Sequence, residues 1–143
     1  MISKLLIAWG LLALTVAIHA AGLSAMLPGL RSLLPDRRFS QVTWLLVRVA
    51  WWLVLLHLAE IAVWALFYWQ QKCLPDAESS FYFSAVTYTT VGYGDLVLPQ
   101  EWRLVGAVEG LTGILMCGLS TGLFFAVVSK LLAANQQPNR SDS

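Results

Sequence analysis

Apolar residues run almost without interruption through three stretches of the chain. Leu5–Leu27 carries no charge and is broken only by Thr15, His19 and Ser24. Trp44–Trp69 contains Arg48, His57 and Glu60. Leu104–Ala134 contains Glu109 and Lys130. Each run exceeds the roughly 20 residues with which a helix crosses a hydrocarbon core of about 30 Å. Three membrane-spanning helices are therefore predicted. The segment between the second and third, Gln70–Arg103, is too polar for a fourth crossing and too aromatic for a plain connector.

Composition agrees. The 143 residues are 58% hydrophobic and 12% charged, with a mean hydropathy of +0.68. Soluble domains average about 45–50% apolar and about 25% charged. One small all-α membrane domain is expected, with no room for a second soluble one. The formal net charge of +1 and the absence of a basic patch exclude a nucleic-acid partner. Cys73 and Cys117 form no CxxC pair, which removes the zinc-ribbon and redox motifs. With only His19 and His57 available, a hydrolytic triad is nearly excluded, and no cofactor is expected.

The positions of the charges set an orientation. Arg31, Arg37 and Arg38 lie in the linker Pro28–Thr43, and Lys130 and Arg140 lie near the C-terminus. By the positive-inside rule these face the cytoplasm, so the N-terminus and Gln70–Arg103 lie outside. Trp64, Phe67, Tyr68 and Trp69 at one end of the second run, and Trp44 at the other, read as interface anchors. Lys4, an apolar run and the small residues of Ala17–Gly22 also have the form of a cleaved leader. Cleavage would force the arginine linker across the membrane, so the segment is expected to remain as a helix. Cys73 is expected outside as a free thiol.

Within the intervening segment, Ser79–Thr89 reads as a helix too short to span, with Asp76, Ser79 and Ser80 as candidate N-caps. Thr90-Val91-Gly92-Tyr93-Gly94 cannot continue it. Irregular backbone at membrane depth must be buried in protein or line water. Glycines at 92 and 94 let successive peptides alternate in hand, so that consecutive carbonyls point one way. Four chains around an axis would then stack rings of oxygens able to replace the hydration shell of a monovalent cation. The C-terminal, partially negative end of the short helix would favour a cation on that axis.

The run "TVGYGD" at Thr90–Asp95, between two spans and after a short aromatic helix, resembles the selectivity filter of potassium channels. The resemblance covers about Trp44–Leu132. It implies a tetrameric pore architecture of transmembrane helices, re-entrant pore helix and filter loop, and a homotetramer passing K⁺ passively through the membrane without catalysis. Thr90, Val91, Gly92, Tyr93 and Gly94 would coordinate K⁺, the only metal then implied, and Asp95 would stand at the outer mouth. Tyr82, Phe83, Thr89 and Glu109 would support the filter, with Tyr93 packed on Tyr82 and Phe83. Gly113 and Gly118 fall where a gating hinge is expected, and Ile114 and Cys117 would face the cavity. Val86 departs from the carboxylate many simple bacterial members carry in the pore helix.

On this reading residues 1–43 form an extra transmembrane helix and basic linker, residues 44–134 the pore domain, and residues 135–143 a short polar tail. The chain would be a multi-pass protein of a bacterial inner membrane. A regulatory, non-conducting subunit or a weakly selective cation channel is the alternative. Arg48, near a helix end, is expected to snorkel to the interface, and one arginine makes no voltage sensor. His57 and Glu60, three apart, share a helix face. They read either as a proton-sensitive pair or as a packed polar contact reaching Glu109 or Thr112, with too few ligands for a metal. Gly106/Gly110 and Gly118/Gly122 form two GxxxG pairs suited to close helix packing.

Overall fold

The computed structural model describes residues 2–31 and 39–135. Four helices follow in order: α1 (Ile2–Arg31), α2 (Phe39–Gln70), α3 (Ala77–Tyr88) and, after a 3-10 turn at Gln100–Trp102, α4 (Arg103–Asn135). Ile2–Met26, Ser40–Gln70 and Gln100–Leu131 are long and apolar enough to cross a membrane. With 12 residues, α3 is about 18 Å long and cannot. The helices take up more of the chain than expected. Pro28–Arg31 belongs to α1 and Phe39–Thr43 to α2, so the link between them is shorter than Pro28–Thr43. Arg37 and Arg38 lie outside the described residues.

Local chemistry sets the helix ends. Asp76 starts α3: its carboxylate accepts from the Ser79 N–H at 2.7 Å, and the helix begins at Ala77 rather than Ser79. That bond holds the Asp76 carboxyl below the usual carboxylate range. Lys72, in the left-handed region at φ 54°, stops α2. The Cys73 N–H then reaches back to the Tyr68 carbonyl and the Lys72 N–H to that of Trp69, both at 3.0 Å, which satisfies carbonyls the helix end leaves open.

Helices α1 and α2 run antiparallel. Thr15 Oγ1 accepts from Trp64 Nε1 at 3.0 Å, and Gly22 O accepts from Trp52 Nε1 at 3.0 Å. Gly22 lies so close beneath Leu56 that a methyl there would meet Leu56 Cδ1 at 2.5 Å. Lys4 Nζ sits 4.3 Å from the Trp102 ring centre, so the N-terminus shares an end of the bundle with the α3 region. One apolar cluster at that end joins Ala8, Trp64, Tyr68, Phe83, Leu98 and Val105. Another, at the opposite end, joins Leu45, Val49, Leu53, Val127 and Leu131. Between them lies a buried polar layer: His19, Glu60, Glu109, Thr112 and Ser120 are all at most 5% exposed.

Candidate functional site

The C-terminal end of α3 and the residues after it form the most unusual backbone in the chain. Thr90 follows the helix cap in the left-handed region at φ 61°, a place glycine usually takes. Gly92 and Gly94 are also left-handed, at φ 52° and 78°, while Val91 and Tyr93 are not. The backbone therefore alternates in hand from residue 90 to 94. The Thr90 N–H donates to Thr87 O and the Gly92 N–H to Val86 O, both at 3.0 Å, folding the run back against the helix end. Thr89 Oγ1 donates to Ala85 O at 2.7 Å.

Every residue from Thr89 to Asp95 is exposed in the single subunit, Val91 at 52% and Tyr93 at 70%. Tyr82 Oη donates to Asp95 Oδ2 at 2.8 Å, tying α3 to the end of the run; this bond raises the Tyr82 phenol above the ordinary tyrosine range. Phe83 is buried, its ring edge-on to Tyr68 at 5.3 Å and facing Gly106. The outward face of α3 needs bulk to fill the space between α2 and α4, and Phe83 supplies it.

Three residues hold the back of α3. Glu109, fully buried, accepts from Tyr68 Oη at 2.7 Å and pairs with Ser84 Oγ at 2.5 Å. Ser84 Oγ also donates to Ile61 O at 2.9 Å. One hydroxyl proton cannot serve two acceptors. The count closes when the Glu109 carboxyl carries its own proton and donates it to Ser84. Small residues let α4 approach. A methyl on Gly106 would touch Leu98 and Phe83, and one on Gly110 would lie 3.5 Å from Thr87 O. One on Gly113 would lie 2.7 Å from the Tyr88 carbonyl carbon and nearer still to its oxygen. Gly113 thus has a packing reason independent of any hinge. Gly118 and Gly122 meet nothing within the subunit, and Ile114 and Cys117 are exposed.

The His57–Glu60 pair reaches neither Glu109 nor Thr112, whose hydroxyl donates to its own helix at Val108 O. Glu60 turns the other way. Its Oε1 lies 2.8 Å from His19 Nδ1 on α1, and its Oε2 accepts from Tyr88 Oη, the last side chain of α3. His57 Nδ1 lies 3.0 Å from Tyr88 Oη and 3.5 Å from Glu60 Oε2. Ser120 Oγ on α4 sits 3.4 Å from His19 Nε2. The cluster thus draws on all four helices. The sequence reading singled out His57 and Glu60 but missed His19, Tyr88 and Ser120 as their partners. A lone histidine in the charge-free first run was the one available signal.

A protein-family model described as an ion channel matches residues 51–130, more than half of the chain. No curated protein and no solved structure matches it significantly.

Proposed function

The chain belongs to this ion-channel family, a multi-pass, non-enzymatic membrane protein, and on that premise we propose that it forms a potassium-selective pore as a homotetramer. The alternation of hand at Thr90, Gly92 and Gly94 carries this reading, because it turns successive carbonyls toward one side. In this reading Thr90, Val91, Gly92, Tyr93 and Gly94 replace the hydration shell of K⁺ with backbone oxygens. Their exposure supports assembly: irregular backbone and two large apolar side chains at membrane depth need neighbours or a water-filled pore. A single filter strand per chain calls for four copies.

Helix α3 is then the re-entrant pore helix, residues 44–134 make the pore domain, and α1 is an added helix. Glu109, through Ser84, and Tyr82, through Asp95, hold the filter in place from behind and from its outer end. Tyr93 packs on a neighbouring subunit. By the distribution of positive charge, the arginine linker and the C-terminus are assigned to the cytoplasmic side, with the N-terminus and Asp95 outside.

The test is K⁺ flux through the purified protein in liposomes, with Na⁺ substituted and Ba²⁺ as blocker. Selective, Ba²⁺-sensitive flux is expected. Gly92→Ala should abolish selectivity while sparing assembly. A methyl there meets no atom of the subunit, but holding a non-glycine residue left-handed costs roughly 1–2 kcal/mol per copy. Unchanged K⁺ selectivity in that variant would overturn the filter assignment.

A further inference from the structure

We propose that His19, His57 and Glu60 bind one divalent transition-metal ion of the zinc class per subunit, behind the end of α3. Each offers one donor atom, and the three atoms lie within 4.8 Å of one another. Tetrahedral zinc ligands at about 2.0–2.1 Å from the metal stand roughly 3.4 Å apart. The shortest His19–Glu60 and His57–Glu60 separations, 2.8 Å to Oε1 and 3.5 Å to Oε2, bracket that spacing. A rotation of the carboxylate and closure of the widest separation by about 1.4 Å bring one donor atom of each residue to it.

Three further features point to a cation. The first is charge. Glu60 is fully buried in a membrane-spanning helix, and among the described residues its ion-pair partners are the two histidines alone, with no lysine or arginine. A carboxylate at that depth with no permanently charged cation beside it is costly, and a divalent ion offsets it. The second is the outer shell. With a metal on His19 Nδ1, the Nε2–H faces Ser120 Oγ at 3.4 Å, the kind of bond that fixes the tautomer of a ligating histidine. The third is the open corner. Tyr88 Oη bonds both Glu60 and His57, and it or a water fills the fourth position. Two imidazoles and a single carboxylate favour zinc-class ions over Mg²⁺ or Ca²⁺, which take oxygen shells. His57, 19% exposed, is the entry side.

Binding would rearrange the contacts that Glu60 and His57 make with Tyr88, two residues before Thr90. It would therefore alter conduction, a consequence that rests on the pore reading above. The binding claim does not.

The experiment titrates Co²⁺ into the detergent-solubilised full-length protein carrying Cys73→Ser and Cys117→Ser, which remove competing thiols. Expected are the intense visible bands of tetrahedral Co²⁺, saturation at one ion per chain, and displacement by Zn²⁺. His57→Ala and His19→Gln, each checked for helicity and assembly, should each weaken binding by about 100-fold or more, beyond the usual loss of an outer-shell partner. Absence of saturable binding, or bands that persist in both variants, would overturn the site. In liposomes, Zn²⁺ should change K⁺ flux through the wild type but not through His57→Ala. Stoichiometric binding with unaltered flux would overturn the link to conduction. If the protein passes no K⁺ at all, the Co²⁺ titration still decides the site.

Discussion

Gly113 separates two explanations of the same residue, a hinge in α4 and a contact point for α3. In Gly113→Ala the new methyl would lie 2.7 Å from the Tyr88 carbonyl carbon and 3.1 Å from its Cα. Carbon atoms attract best at about 3.5–4.0 Å, so the backbone must part by about 0.8 Å or more. No flexible side chain can absorb this, because the opposing atoms are main chain. Overpacking of this kind costs about 1–3 kcal/mol per site. The displaced element is the end of α3, one residue before Thr89. Gly118→Ala is the control: a methyl there meets nothing, and in a helix alanine gains up to about 1 kcal/mol over glycine. The assay is thermal dissociation of the purified oligomer, followed by size-exclusion chromatography, with liposome flux in parallel. Gly113→Ala should melt well below the wild type and lose selectivity; Gly118→Ala should melt at or above it. Equal melting of Gly113→Ala and the wild type would refute the close approach, and a change in gating alone would favour the hinge.

Glu109→Gln should assemble and conduct much as the wild type, because the amide can accept from Tyr68 and donate to Ser84. Glu109→Ala should dissociate more easily, since the buried Tyr68 hydroxyl loses its acceptor at about 1–3 kcal/mol while Ser84 keeps Ile61 O; oligomer melting distinguishes the two. Tyr82→Phe removes the bond to Asp95 and should make flux less stable in low K⁺. Because that bond raises the Tyr82 phenol, its contribution is fully present below the ordinary tyrosine value and is lost only as pH climbs past the raised one. A wild-type decline in flux stability between pH 6 and 9 that Tyr82→Phe lacks would contradict this. For Asp76 the sign reverses. Its carboxyl is lowered by the cap, so the cap's contribution is present above the ordinary carboxylate value and lost as pH falls through the lowered one. Asp76→Asn, which still caps without a titrating group, should remove that acid step in oligomer melting.

The sequence by itself determined the membrane class, the three spans, the short helix between the second and third, and the place where regular structure stops. These are properties of local composition. A run of apolar residues long enough to cross a bilayer has few alternatives, Asp76, Ser79 and Ser80 mark the start of the short helix to within a turn, with the structure choosing Asp76, and glycines at 92 and 94 announce left-handed backbone. The third left-handed residue, Thr90, was not legible, because threonine seldom takes that conformation; its place after the helix cap imposes it. Tertiary structure alone decided the pairing of polar groups. His57 and Glu60 share a face of α2, but which neighbour answers them depends on the register of α1 against α2, and that is set by contacts such as Gly22 under Leu56 and Trp64 on Thr15. The same register brings His19 to Glu60 and leaves Glu109 to Tyr68 and Ser84. Gly113 had to be glycine for a reason no pattern along the chain contains: the backbone of another helix passes where its side chain would be.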